Sequence, residues 1–225
     1  MKIVVTGGAG FIGSSLCEYL VKKKHEVIVV DNLSNGNIKN LAKIKKKISF
    51  IKKDILTPNC FNGKIFKNVH TVFHLAALAD IVPSIQFPRK YFDSNVSGTL
   101  NVLEYCRKNN ISKLIYAASS SCYGMPRRMP VKENALIDTK YPYSLTKFLG
   151  EELILSWAKI YGMNNISLRF FNAYGPRSRT NNNYGAMFGV FLSQKINNQP
   201  LTIVGSGKQT RDFIFISDLV DGIYK

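Results

Sequence analysis

The sequence predicts an α/β protein built on a parallel, doubly wound sheet with helices on both faces. Three observations carry that expectation. Short apolar runs alternate with helical segments, a glycine-rich turn joins the first strand to the first helix, and an aspartate closes the second strand. Strands that are apolar on both sides belong to sheets buried on both sides.

The elements follow in order. Ile3-Val-Val5 is a short strand, and an apolar-periodic helix runs from Phe11 to about Lys23. Val27-Ile-Val-Val30 is a second strand, ending at Asp31, and the polar loop Asn32 to Asn37 leads into a short basic helix. Ile48 to Ile51 and Val69 to Leu75 give the third and fourth strands. A long helix is expected from Arg89 to Lys108, a fifth strand at Leu114 to Ala118, a helix from Tyr143 to Tyr161, and a sixth strand at Ile166 to Phe170. After about Phe171 the rhythm changes. A Gly/Pro/Asn-rich loop spans Gly175 to Gly185, a helix reaches about Asn197, and two short strands are expected at Leu201 to Val204 and Phe213 to Ile216. A helix capped by Ser217-Asp218 begins just before the last residue, Lys225. The pattern predicts one unit over 1–171, an incomplete smaller lobe over 172–225, and a sequence that stops short of a complete domain.

Bulk properties narrow the function. The 225 residues are 45% hydrophobic and 20% charged, as in ordinary globular proteins. No apolar run reaches the roughly 18 residues that span a bilayer, and the first residues turn at once into a strand and a glycine loop, so no membrane contact and no signal peptide are read. Cys17, Cys60, Cys106 and Cys122 are scattered, without Cys-x-x-Cys or a nearby histidine, so no metal site is expected. They read as reduced thiols of a cytoplasmic protein. The formal charge of +17 raises a nucleic-acid partner. The lysines, however, cluster as Lys22 to Lys24, Lys45 to Lys47 and Lys52-Lys53 near element ends, with no aromatic platform among them. They read as a solvated surface, with no nucleic acid bound.

Two constellations carry chemistry. In Thr6-Gly-Gly-Ala-Gly-Phe-Ile-Gly13, the glycines Gly7, Gly10 and Gly13 permit a tight turn and bring backbone N–H groups close to a pyrophosphate at a helix N-terminus. Asp31 at the end of the next strand would accept a hydrogen bond from a ribose 2′-hydroxyl and repel a 2′-phosphate, which favours NAD over NADP. The sheet is therefore of the dinucleotide-binding, Rossmann type. In Tyr143-Ser-Leu-Thr-Lys147, four-residue spacing puts a phenol and an ammonium on one helix face. A lysine beside a phenol stabilises the phenolate and lets the tyrosine act as a base below its usual pKa of about 10.

With these residues in view, the chain resembles the extended short-chain dehydrogenase/reductase family, the NAD-dependent epimerases and dehydratases of nucleotide sugars. The resemblance also rests on Asp31-Asn-Leu-Ser-Asn-Gly36, Asp54-Ile55, His74-Leu-Ala-Ala77 and Asn95-Val-Ser-Gly-Thr99. It continues through Ser119-Ser-Ser-Cys-Tyr-Gly124, Arg169-Phe-Phe-Asn-Ala-Tyr-Gly-Pro176 and Thr210-Arg-Asp-Phe213. It implies that Gly7, Gly10, Phe11, Ile12 and Gly13 hold the NAD pyrophosphate, that Asp31 and Asn32 hold the adenosine ribose, and that Asp54 and Ile55 flank the adenine. It places Ala76, Asn95 and Phe170 in the cofactor site, with Phe170 at the nicotinamide and Lys147 on the nicotinamide ribose beside Tyr143. Ser119 matches the catalytic hydroxyl, Ser120 and Ser121 face substrate, and Asn172 and Arg211 contact the nucleotide diphosphate, for which a guanidinium suits paired phosphate oxygens. His74 is expected to be structural.

The resemblance implies transient oxidation at carbon 4 of a sugar. Dehydratases of the family carry Asp-Glu after the catalytic Thr, and decarboxylating relatives place a Glu in this segment, whereas this chain has Ser120-Ser121. The expected activity is therefore 4-epimerisation of a UDP-sugar. The alternatives are a dehydratase, a uronate epimerase, or a non-catalytic NAD-dependent or RNA-binding module on the same fold. A homodimer through the Arg89 to Lys108 and Tyr143 to Tyr161 helices is also expected, with Leu100, Leu103, Leu149 and Leu153 either core or interface.

Overall fold

The computed structural model describes residues 1–111, 113–126, 128–178, 187–203 and 205–225. Its centre is a six-stranded sheet of β1 (Lys2–Thr6), β2 (Glu26–Asp31), β3 (Ile48–Lys52), β4 (Thr71–His74), β5 (Lys113–Ser119) and β6 (Asn164–Phe170), all parallel, in the order β3-β2-β1-β4-β5-β6. The order reverses between β1 and β4, and connections leave this point in opposite directions. In such a sheet the crevice beyond the strands' C-terminal ends at the reversal is where ligands sit.

Alternation along the strands builds two cores. Val4, Ile28, Val30, Val72, Leu114 and Tyr116 face one way, against Val102, Leu103 and Cys106 of α4 (Gly98–Lys108) and Ile154 of α5 (Pro142–Tyr161). Ile3, Val5, Val27, Val29, Phe73 and Ile115 face the other way, against Leu16, Cys17 and Leu20 of α1 (Phe11–Lys22). Leu103 is thus core, and Leu153 packs partly buried beside it.

Helices α2 (Ile81–Gln86) and α3 (Pro88–Phe92) lead into α4. The helix expected from Arg89 to Lys108 starts one residue earlier and contains a π-turn over Asp93–Ser97. Such a widened turn re-aims side chains, and here it carries the buried Asn95. The basic segment Ile38–Lys47 is a 3-10 helix anchored by Leu41 and Ile44.

Beyond β6, β7 (Asn172–Tyr174) and β8 (Phe213–Phe215) pair in parallel as a separate two-stranded sheet. Helices α6 (Met187–Ile196) and α7 (Ile216–Tyr224) complete the order. Residues 201–203 form no strand, contrary to expectation, and position 204 lies outside the described residues, as does part of the Gly175 to Gly185 loop. An apolar run flanked by glycine resembles a strand in sequence, but among the described residues no strand pairs with 201–203. Helix α7 begins at Ile216 rather than after a Ser217-Asp218 cap, and its Leu219, Val220 and Ile223 enter the second core of the large sheet.

Gly150 sets how closely α5 approaches the sheet. A Cβ there would lie 2.3 Å from Tyr116 Oη, 2.9 Å from its Cζ and 3.3 Å from the Asn95 carbonyl oxygen. Gly150→Ala should destabilise the fold by about 1–3 kcal/mol, the usual cost of overpacking, read as a lower urea midpoint. An unchanged midpoint would show that this contact does not constrain the helix.

Candidate active site

Strand β1 ends in a turn that only glycine fits at its crucial positions. Gly7 has φ of +69°, and a Cβ on it would sit 2.7 Å from the Ala76 nitrogen, beyond β4. A Cβ on Gly13 would lie 2.2 Å from the Gly7 carbonyl oxygen. The turn is held by Gly10 N–H donating to the Gly7 carbonyl (3.1 Å) and Gly7 N–H to that of Val30 (2.9 Å). No side chain caps α1, whose first intrahelical bond runs from Ser14 N–H to the Gly10 carbonyl. The amides of Phe11, Ile12 and Gly13 therefore have no intrahelical acceptor, and the helix dipole adds positive potential there. An uncapped helix start over a side-chain-free cradle fits a dinucleotide's pyrophosphate.

Asp31 clamps this turn to β2. Its Oδ2 accepts from Ala9 N–H (2.9 Å) and its Oδ1 from Leu33 N–H (2.8 Å). Burial pushes its carboxyl pKa up, against the lowering pull of those two amides. Asn32 is exposed and donates from Nδ2 to Asp54 Oδ2 (2.7 Å), while Ile55 is buried against Gly98. Asp31, Asn32 and Asp54 thus gather around the ends of β2 and β3.

Tyr143 and Lys147 occupy the start of α5. Pro142 preorganises the first helical position, and Ser144 Oγ closes a capping box by accepting from Tyr141 N–H (3.1 Å). Lys147 is 4% exposed, and its Nζ lies 4.2 Å from the centre of the Tyr116 ring. Burial lowers its pKa to about 7, partly opposed by the Glu151 carboxylate one turn along. The Tyr143 phenol behaves otherwise than the sequence suggests. Burial raises its pKa, a hydrogen bond with the Ser119 hydroxyl pulls it back, and Asp80 pushes it up again. Desolvation outweighs the stabilising groups, and the Lys147 amine rests on Tyr116.

Ser119 ends β5 in register with Phe170 of β6. Its Oγ lies 2.8 Å from Ser121 Oγ and accepts from Ser121 N–H (3.2 Å), which fixes the 3-10 turn Ser120–Tyr123. Ser119 therefore meets Tyr143, with Lys147 one turn along α5. Phe170 is partly buried against the second core. Asn172 donates to the Asp212 carbonyl (2.9 Å), and exposed Arg211 donates to that of Thr210 (2.8 Å), so both lie at one end of the β7–β8 pair. A hollow of about 490 Å³ borders the α5 start at Tyr141, Pro142 and Thr146. Another of about 560 Å³ is lined by Glu151, Arg169 and Phe170 among others.

Asn95 turns inward. Its Oδ1 accepts from Leu78 N–H (2.7 Å), and its Nδ2 donates to the Leu78 carbonyl (3.0 Å) and Thr146 Oγ1 (3.1 Å). Both amide protons are spent holding the loop after β4 to α5. His74 is structural. Thr99 Oγ1 donates its proton to the Asn95 carbonyl (2.6 Å), so His74 Nε2 must donate to Thr99 (2.9 Å) and Nδ1 accept from Thr6 Oγ1 (2.7 Å). Burial and the Lys147 charge lower its pKa to about 3, which keeps it neutral.

Sequence reading missed Tyr116, Thr146 and the ion pair of Arg169 with Glu151 (2.5 Å). Of these only Glu151, four residues after Lys147, left a local signal. Among the described residues no three His, Cys, Asp or Glu side chains could hold a metal, and no helix is long and apolar enough to cross a membrane.

Residues 3–225 match the NAD dependent epimerase/dehydratase family. An uncharacterized UDP-glucose epimerase of Bacillus subtilis is 39% identical over 99% of this chain and 71% of its own length. The structure is similar to that of a UDP-N-acetylglucosamine 4-epimerase from Methanobrevibacter ruminantium, in complex with UDP-N-acetylmuramic acid (TM-score 0.94, 36% identity, 99% of this chain and 71% of that one). It is equally similar to a UDP-glucose 4-epimerase from Thermotoga maritima with UDP-glucose (TM-score 0.94, 31% identity, 100% and 72%). Decarboxylases of UDP-sugar acids are also among the relatives.

The buried Lys147 makes a pH prediction. Between about pH 7 and 10.5 the unfolded chain carries its lysine proton and the folded chain does not, so this group makes stability rise with pH across that window. Its slope can approach about 1.4 kcal/mol per pH unit. Wild-type protein should therefore gain stability relative to Lys147→Met as pH rises from 7 to 9.5 in urea titrations. Parallel curves would show that the amine is not desolvated.

Proposed function

The chain belongs to the NAD dependent epimerase/dehydratase family, and we propose that it inverts carbon 4 of a UDP-sugar. The observation that carries this reading is the convergence of Ser119, Tyr143 and Lys147 at the C-terminal ends of β5 and α5's first turns, beside a turn that fits a dinucleotide. The absence of an Asp-Glu pair at Ser120-Ser121 favours epimerisation over water elimination.

In this reading the amides of Phe11, Ile12 and Gly13 and the cradle of Gly7 and Gly10 hold the NAD pyrophosphate. Asp31 and Asn32 take the adenosine ribose, with Asp54 and Ile55 at the adenine. Ala76 and Asn95 shape the β4 side of the cleft, Asn95 by holding Leu78 in place. Phe170 borders the nicotinamide. Bound NAD supplies the hydride acceptor at carbon 4 and, once the sugar has turned over, the hydride donor for the opposite face.

The chain's own residues manage the proton. Tyr143 Oη, as phenolate, accepts the proton of the sugar's 4-hydroxyl and later returns it. The ammonium form of Lys147, one turn along α5, would stabilise negative charge as it develops on the phenol, and the Ser119 hydroxyl hydrogen-bonds the reacting oxygen. Ser120 and Ser121 line the substrate side. Asn172 and Arg211, on the small sheet, take the UDP diphosphate. Exposed Phe92, Leu145 and Leu155 on α3 and α5 suit a homodimer contact along these helices.

Tyr143→Phe should lower turnover of UDP-sugars by about 10²–10⁴-fold, the usual worth of a general base, while NAD still co-purifies with the protein. Turnover retained in that variant, measured by NMR of the product sugar, would remove Tyr143 from the mechanism.

A further inference from the structure

Arg169, on β6, stands where three segments meet. Its Nε donates to both oxygens of Glu151 (3.1 Å each) and its Nη2 to Glu151 Oε1 (2.5 Å). Its Nη1 donates to Tyr123 Oη (2.7 Å) and to the Glu133 carbonyl (2.9 Å). Ser167, two residues earlier on the same strand, donates from Oγ to Glu151 Oε2 (2.9 Å). The guanidinium also lies over the Tyr123 ring, 4.8 Å from its centre. The Glu151 side chain is 4% exposed and that of Arg169 21%.

The ends of this cluster matter more than its middle. Glu151 lies on α5 one turn beyond Lys147, and Tyr123 closes the turn that Ser119 opens. Desolvation takes back much of what a buried ion pair gains, so such a pair is weak evidence for stability in itself. A guanidinium's planar fork instead fixes direction, because its donors leave at set angles and cannot be satisfied together in another pose. Here the fork points one way to the helix of Tyr143 and Lys147 and the other way to the turn after Ser119.

We propose that Arg169 and Glu151 are positioning residues which, through the Tyr123 hydroxyl, lock α5 to the turn after β5 and so fix Tyr143 and Lys147 relative to Ser119. This rests on the reading of those three side chains as the reaction centre. The Glu151 carboxylate has a second consequence, since it opposes the loss of the Lys147 proton. Among the described residues Tyr116 and His74 from the sheet also face that amine, and Tyr143 lies one turn earlier on the same helix.

Three conservative variants of the full chain test this. Tyr123→Phe removes one hydroxyl and leaves the ion pair, Glu151→Gln removes the charge but keeps the shape, and Arg169→Lys keeps the charge without the fork. With UDP-glucose and UDP-N-acetylglucosamine as probes, Tyr123→Phe should lower kcat about tenfold or more, as misplacement of reacting groups does, with KM, NAD content and Tm unchanged. Arg169→Lys should retain more turnover than Arg169→Ala. NMR of 13Cε-labelled lysine, which needs no substrate, should show the Lys147 titration midpoint moving to lower pH in Glu151→Gln. Wild-type kcat in Tyr123→Phe would overturn the proposal, as would a loss of turnover matched by a loss of Tm. If Glu151→Gln does not fold, Tyr123→Phe decides the matter alone. Tyr143→Phe separates the two levels: if it is inactive while Tyr123→Phe is fully active, only the positioning role falls, whereas an active Tyr143→Phe removes the proposed reaction itself.

Discussion

The burial of the Lys147 amine is the constraint around which this structure is arranged. Taking an ammonium out of water costs several kcal/mol even after relaxation, and the surroundings oppose that penalty with specific groups. Tyr116 lays its ring beneath Nζ, and Glu151 stands one turn along the helix. Gly150 lets the helix come close enough for Tyr116 to reach that place, and the Tyr116 hydroxyl donates to the Lys147 carbonyl (3.3 Å). The offset is incomplete, so the amine titrates near neutral pH instead of far above it. A group poised there changes its charge within the neutral pH range, as a free lysine does not.

Around this amine the fold joins two otherwise separate regions. On one side, the glycine turn after β1 meets the loop after β4 at Ala76, and Thr6, His74, Thr99 and Asn95 tie both to α4 and α5. On the other side, β5 and β6 end together at Ser119 and Phe170, and Arg169 fastens their ends to α5. Helix α5 is therefore held from one side by Asn95 and Thr146 and from the other by Glu151. Each contact uses directed hydrogen bonds, which resist sliding in a way apolar packing does not.

Much of this was legible in the sequence because it is local. The strands announced themselves as apolar runs, the glycine turn by its place between strand and helix, and the Tyr143/Lys147 pair by helical spacing. What escaped is set by contacts far apart in the chain. Nothing near Asn95 tells that its amide will be spent on Leu78 and Thr146, 17 and 51 residues away. The π-turn at Asp93–Ser97 has no composition signature distinct from an ordinary helix. The direction of the Tyr143 shift depends on how dry the cleft is, which spacing cannot reveal. The run at 201–203 misled because strand propensity needs a partner edge, and among the described residues none pairs with it.

Inversion at carbon 4 by removal and return of the same hydrogen can be followed with a UDP-sugar deuterated at carbon 4. The epimerised product, resolved by NMR, should keep its deuterium at carbon 4 in ordinary water. Deuterium lost to solvent during inversion, or a product altered elsewhere with carbon 4 uninverted, would contradict it.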